Sequence, residues 1–124
     1  MNVLASLAAL LLVAGPPPAI PAPDDGEWSN PVPVNIEVWA TRTLADYPRQ
    51  ALRRGWEGTV RISLVIDTEG RVSQCAVIGS SGHPVLDEAA CAGARRYARF
   101  KPATDPDGNP VEGGFMTAIG FTIP

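Results

Sequence analysis

The sequence contains few of the side chains that bind metals or carry out redox chemistry. Its 124 residues include one histidine and two cysteines, and the cysteines do not form a Cys-x-x-Cys pair. A metal site would therefore need several carboxylates close together, and Asp and Glu do not cluster in the sequence. A glycine-rich phosphate-binding loop is also absent. These absences argue against a metal, a cofactor and redox catalysis.

Long apolar runs are scarce as well. The N-terminal run, Val3–Ala14, has 12 residues of Val, Leu, Ala and one Ser. As a helix it would reach about 18 Å, against the roughly 30 Å of a bilayer core. This length favours an export signal over a spanning helix, although no Lys or Arg precedes the run. Residues 1–15 are expected to be an export signal or a short membrane anchor, with cleavage and retention both open.

Proline and charge are unevenly distributed. Seven of the 13 prolines fall between residues 16 and 33, which predicts an extended tether over residues 16–40. The net charge of −3 argues against nucleic acid as a partner. Positive charge is concentrated between residues 47 and 101, where six arginines could steer an acidic partner or simply be solvated at helix ends: Arg49, Arg53, Arg54, Arg95, Arg96 and Arg99.

The start of the folded part carries two local signals. Asn35–Trp39 alternates enough to predict a short strand or an extended segment. Pro48 suits the first position of a helix, with Asp46 or Tyr47 as its cap, and Gly55 is a left-handed stop two turns later. The first helix is therefore expected between Pro48 and Gly55.

Three stretches predict strands. Thr59–Asp67 alternates between aliphatic and other residues, and a turn at residues 67–70 reverses the chain. Arg71–Ser80 returns as the second strand, and its broken alternation near Ser73 and Gln74 predicts a bulge. The last strand is indicated by alternating apolar residues and one threonine: Phe115, Thr117, Ile119, Phe121 and Ile123.

A second helix is predicted between Pro84 and Pro102, because Leu86, Ala90 and Ala94 recur at helical spacing. The element order is then helix, strand, strand, helix, strand. The predicted fold class is α+β, with two helices on one face of a three- to four-stranded antiparallel sheet. Such a small open sheet leaves an exposed edge strand.

One cluster, Ser80, Ser81, His83 and Asp87, resembles the side chains of a hydrolase. A nucleophile and its base usually come from different elements, and these four residues are too close in sequence for that arrangement. The serines are better explained as loop and capping hydrogen bonders, and Asp87 as a carboxylate in the first turn of a helix. The protein is therefore not expected to be an enzyme.

The two cysteines are placed on elements that should pack together. Cys75 lies on the second strand, and Cys91 lies at the edge of the buried stripe of the second helix. In an exported protein an even pair favours a disulfide, with two buried free thiols as the alternative. A disulfide here would stabilise a small core.

At this point the ordered motifs resemble the TonB C-terminal domain, over about residues 47–121. No single motif is specific, but the set at these spacings is strong. It comprises Tyr47-Pro48 with Ala51, Gly58-Thr59-Val60, Asp67 with Gly70-Arg71-Val72, Ser80-Ser81-Gly82, Leu86-Asp87 with Ala90, and Phe100-Lys101-Pro102-Ala103. Residues 41–124 are therefore expected to form a TonB-like C-terminal domain.

The resemblance implies binding of the TonB box, a short extended peptide of an outer-membrane TonB-dependent receptor, along the last strand. An exposed edge strand suits such strand addition. Small outward residues also let another backbone approach closely. Dimerisation through the same edge is the alternative. The expected binding residues are Phe115, Met116, Thr117, Ala118, Ile119, Gly120 and Phe121.

The resemblance also implies a periplasmic location and energy supplied by a proton-channel motor complex in the inner membrane. The family's anchor is a full spanning helix with a basic stub and a polar histidine. Here the apolar run is shorter, and His83 is the only histidine. Two alternatives follow: a periplasmic domain tethered to the inner membrane, or a cleaved soluble module that binds or assembles without energy coupling.

Overall fold

A computed structural model describes residues 27–124, which form three helices and seven strands. The expected export signal or anchor, residues 1–15, and residues 16–26 of the expected tether lie outside the described residues. Within residues 27–124, every helix is too short or too polar to cross a membrane.

The elements follow one another with short connections. The helices are α1 (Ile36–Ala45), α2 (Arg49–Arg54) and α3 (Pro84–Tyr97). The long strands are β2 (Gly58–Ile66), β3 (Val72–Gly79) and β7 (Gly113–Phe121). The short strands are β1 (Val32–Pro33), β4 (Phe100–Lys101), β5 (Ala103–Thr104) and β6 (Pro110–Val111).

The main sheet has three antiparallel strands in the order β3-β2-β7. β2 and β7 pair without a register shift, from Gly58↔Phe121 to Ile66↔Gly113. The pairing of β2 with β3 shifts between Val65 and Ile66, which skips Ser73 and confirms the predicted bulge. The short strands form two small ladders, β1 with β4 and β5 with β6.

The core lies between the main sheet and the helices. The predicted aliphatic face of β2 is fully buried: Val60, Ile62, Leu64 and Ile66. Leu86, Ala90 and Ala94 of α3 are also completely buried and belong to the same cluster. The α+β fold class, with helices packed on an antiparallel sheet that has an exposed edge strand, is confirmed.

The turn between β2 and β3 explains why Gly70 occupies its position. Its φ of +83° lies in the left-handed region that favours glycine. The carbonyl of Gly70 accepts a hydrogen bond from the amide of Phe100 at 2.8 Å. A Cβ at residue 70 would collide with the Phe100 carbonyl, so the turn needs glycine for two independent reasons.

The prediction of a strand or extended segment at Asn35–Trp39 is wrong. Ile36–Ala45 is a helix, so the domain has three helices rather than two. Its inner side is held by tertiary contacts: Trp39 packs edge-to-face on Phe100 at 6.0 Å between ring centroids. These contacts outweigh the β-propensity of the two β-branched residues Ile36 and Val38.

Two predicted helix boundaries are also corrected. Pro48 is the cap of α2 rather than its first residue, and the helix ends at Gly55 as expected. α3 ends at Tyr97 and does not continue to Pro102. The chain leaves the helix early because Phe100–Lys101 pairs with β1, which no local pattern in the sequence indicates.

Candidate functional site

The expected peptide-binding residues all lie on β7, at an edge of the main sheet. β7 pairs with β2 on one side, and no strand within residues 27–124 pairs with its other side. Phe115, Thr117 and Ile119 are half-buried toward the helices, whereas Met116 is 68% exposed on the outer face. The unpaired side of β7 therefore offers main-chain N–H and C=O groups over a strand of nine residues.

A groove of about 250 Å³ runs beside this edge. It is lined by Ile36, Trp39, Ala40 and Leu44 of α1 and by Thr117, Ala118, Ile119 and Gly120 of β7. None of these side chains is charged. The groove therefore combines an apolar surface with an unpaired strand edge, which are the two features that strand addition uses for specificity and for affinity.

A second depression, of about 460 Å³, adjoins the groove at Leu44. Its lining includes Tyr47 and Leu52 on one side and Thr122 and Pro124, which follow β7, on the other. Leu44 lines both spaces. An apolar track therefore extends from the middle of β7 toward the C-terminal end of the chain.

The α1 wall of the groove is the part of the site that the sequence prediction missed. Ile36, Ala40 and Leu44 recur at a spacing of four residues, which places them on one stripe of a helix. This spacing was a usable signal. It was obscured because Ile36 and Val38 also fit the alternation of a short strand.

The family-motif residues serve mainly to hold the domain together. The Tyr47 hydroxyl donates to the Trp56 carbonyl, and the Tyr47 ring packs edge-to-face on Phe121 at 5.5 Å. Burial, with the nearby Glu57 carboxylate, raises the Tyr47 pKa, so the phenol stays protonated. Through the contact with Phe121, the Tyr-Pro motif supports the end of β7.

The other motif residues also fall at packing and turn positions. Gly58 opens β2 and lies against Ser81. Gly82 has a positive φ in the loop before α3. Phe100 is buried in the core against Phe115, and Pro102 is the residue between β4 and β5.

The serine and aspartate cluster before α3 is a network of loop hydrogen bonds, as predicted. The Ser80 hydroxyl donates to Asp87 Oδ2 at 2.6 Å, and the Ser81 amide and hydroxyl donate to Asp87 Oδ1 at 2.9 and 2.8 Å. Burial alone would raise the Asp87 pKa, but these hydrogen bonds outweigh it and hold the pKa below its usual value. The His83 ring stacks on the Trp56 ring, with 4.7 Å between the ring centroids.

The predicted disulfide is present and joins β3 to α3. Cys75 and Cys91 are bonded, with their Cα atoms 5.7 Å apart. β3 and β7 are the opposite edges of the main sheet. The disulfide therefore lies on the far side of β2 from the unpaired edge of β7.

The six arginines of the positive segment are divided between two elements. Arg49, Arg53 and Arg54 lie on α2, and Arg95, Arg96 and Arg99 lie at or just beyond the end of α3. Three of them are engaged within the domain. The Arg54 guanidinium lies over the Trp56 ring, 5.5 Å from its centroid. The Arg96 guanidinium lies 3.5 Å from Asp46, and Arg99 donates to the carbonyl of Ala98.

Comparisons with known proteins agree with this architecture. The family model described as Gram-negative bacterial TonB protein C-terminal matches residues 44–123. Protein tonB2 of Pseudomonas aeruginosa is 38% identical over 79 residues, covering 63% of this chain and 28% of the relative. Protein TonB of Pseudomonas putida is 39% identical over 84 residues, covering 63% of this chain and 33% of the relative. The chain thus spans a third or less of these curated relatives.

Solved structures show the same fold. The solution NMR structure of the Pseudomonas aeruginosa TonB CTD matches with a TM-score of 0.51 and 28% identity, covering 62% of this chain and 76% of that one. The NMR structure of the Helicobacter pylori TonB-CTD matches with a TM-score of 0.53 and 22% identity, covering 73% and 78%. The family match covers the elements from the end of α1 to the end of β7, and the chain belongs to the TonB C-terminal domain family.

Proposed function

We propose that this domain binds the TonB box of an outer-membrane receptor as an additional strand along the free edge of β7. The observation that carries the proposal is the nine-residue edge of β7, which pairs with no strand of residues 27–124 and borders an apolar groove. Main-chain hydrogen bonds to this edge would supply affinity, and the groove would supply specificity. Membership of the TonB C-terminal domain family supports the choice of partner.

Proline substitutions test whether this edge is used. Successive residues of a strand direct their N–H groups to opposite sides, so Ala118→Pro and Ile119→Pro differ in which side loses a donor. One variant breaks the ladder with β2 and is expected to be destabilised. The other keeps the ladder and obstructs the free edge. Thermal unfolding identifies which is which.

The stable variant is the informative one. Fluorescence anisotropy with a labelled synthetic TonB-box peptide should show affinity reduced by about tenfold or more, because an edge donor is lost and the proline ring obstructs pairing. The stable member of the pair Ala76→Pro and Val77→Pro, on the opposite edge strand β3, should bind normally. Unchanged affinity in the stable β7 variant would exclude this edge as the binding site.

The same edge could instead pair two copies of this chain. A mass that rises with protein concentration, measured by light scattering, would favour that assembly role. The stable β7 proline variant would then be monomeric at all concentrations. A monomeric wild-type domain that binds the peptide supports the receptor-binding proposal.

We further propose that the whole protein transmits energy from an inner-membrane proton-channel motor complex to the receptor for nutrient import. Support comes from the relatives named Protein TonB, of which this chain matches a third or less. Coupling requires a link to the inner membrane, for which the apolar run Val3–Ala14 is the candidate. The intact mass of the native protein, from separated membrane and periplasmic fractions, tests this link. A shortened chain found only in the soluble fraction would contradict energy coupling by this chain.

A further inference from the structure

We propose that α1 selects which peptides bind, by admitting only uncharged apolar side chains at the peptide positions that face it. This inference rests on the proposed strand addition at β7. It assigns Ile36 and Leu44 as specificity-determining residues, and Ile36 lies outside the segment that matches the family.

The groove opens along the strand edge where the peptide would lie. Four consecutive β7 residues, Thr117 to Gly120, line it together with α1. Side chains of consecutive strand residues point to opposite faces of a sheet. Ala118 and Gly120 lie on the outer face of the sheet, away from the helices. They can reach a groove on the helix side only where it opens at the edge of the strand. A strand added at about 4.8 Å from β7 would therefore occupy the mouth of this groove.

The two walls also match in length. Ile36 and Leu44 are the ends of the α1 stripe and lie about 12 Å apart along the helix axis. Residues 117–120 of β7 span about 10 Å. Side chains on one face of a strand repeat about every 6–7 Å. About two peptide side chains would therefore face α1 over the 10–12 Å or so that the two walls share.

The chemistry of the two faces differs. The α1 side of the groove is formed by aliphatic and aromatic side chains, where an unpaired charge would be costly to bury. On the outer face of the sheet, Met116 is mostly exposed and no helix of residues 27–124 covers it, so a peptide side chain there would remain in water. Charge should therefore be excluded at alternate peptide positions only.

The experiment is an aspartate scan of the TonB-box peptide that binds the wild-type domain, measured by fluorescence anisotropy. Each residue of the peptide is replaced singly by Asp. At the positions facing α1, affinity should fall by about tenfold or more, since an apolar contact is lost and a charge is buried. At the positions between them, the change should be less than about threefold.

Two variants assign this pattern to α1. Ile36→Lys and Leu44→Lys alter side chains that are 54% and 38% exposed, so the fold should tolerate them. Each variant should bind the unsubstituted peptide more weakly than the wild-type domain does. Each should bind more tightly the peptide whose Asp faces the new lysine. The matched control is Val38→Lys, which changes a residue of α1 that is 50% exposed and lies outside the groove.

The outcomes separate this inference from the proposed function. Selection by α1 is supported if Asp lowers affinity at every second peptide position. It also requires that the Ile36 or Leu44 lysine variant binds such an Asp peptide while the Val38 control does not. Peptide binding without such a period, or with no rescue by either lysine, overturns the inference and leaves strand addition standing. If no TonB-box peptide binds the wild-type domain, both are overturned.

Discussion

Reduction of the disulfide should destabilise this domain by an amount that can be worked out from chain entropy. Cys75 and Cys91 are separated by 16 residues. Closing a loop of that length removes about 10 cal/mol/K from the entropy of the unfolded chain, or about 3 kcal/mol at 25 °C. For a domain of this size, that corresponds to a decrease in Tm of about 10–20 °C.

Urea unfolding with and without dithiothreitol, followed by far-UV circular dichroism, measures this effect. The m-value should also increase on reduction, because the unfolded chain without the cross-link exposes more surface. The control is the double variant Cys75→Ala with Cys91→Ala, whose unfolding should not respond to the reductant.

A loss of less than about 1 kcal/mol on complete reduction would refute the chain-entropy reasoning. The affinity for a TonB-box peptide offers an independent check. The disulfide lies on the β3 side of the sheet, across β2 from β7. Peptide affinity of the reduced protein should therefore be unchanged at temperatures where it remains folded.

Two further predictions concern α1 and the loop before α3. Gly93→Ala should lower the free energy of unfolding by about 1–3 kcal/mol, because its methyl would collide with the buried Thr43 side chain. Adding Thr43→Ala to this variant should restore most of the lost free energy of unfolding, measured by urea denaturation. An unchanged free energy of unfolding would argue against the collision. The lowered Asp87 pKa should stabilise the fold above about pH 4, an effect lost as pH falls through the folded-state pKa. Asp87→Asn should therefore weaken the dependence of Tm on pH below about pH 5, and an unchanged dependence would contradict the assigned cause.

Several parts of the fold could be predicted from the sequence because the signal and the structure are both local. The alternation of β2 matches its completely buried face. The turn at Gly70 and the stop at Gly55 were predictable from the backbone conformations that glycine adopts. The bulge at Ser73 was visible as a break in alternation.

The helical state of α1 was harder to predict, because the strand-like alternation of residues 35–39 competes with the helical spacing of Ile36, Ala40 and Leu44. Its N-terminus is held by Asn35, whose side chain donates to the carbonyl of Tyr97 at 2.8 Å and accepts from the amide of Arg99 at 2.9 Å. Near its C-terminus, the Tyr97 hydroxyl donates to Asp46. These partners lie more than 50 residues away in the sequence, so a local reading of residues 35–39 contains no trace of them.

The α+β class, the family, the last strand of the sheet and the cysteine pair could therefore all be predicted, because each depends on periodicity, turn residues or ordered motifs along the chain. The position of α1 beside β7 has no such signal along the chain. That placement depends on burying Trp39, which is 2% exposed, and on the close approach of Thr43 to Gly93. The groove proposed to select peptides exists because these long-range contacts bring the two elements together.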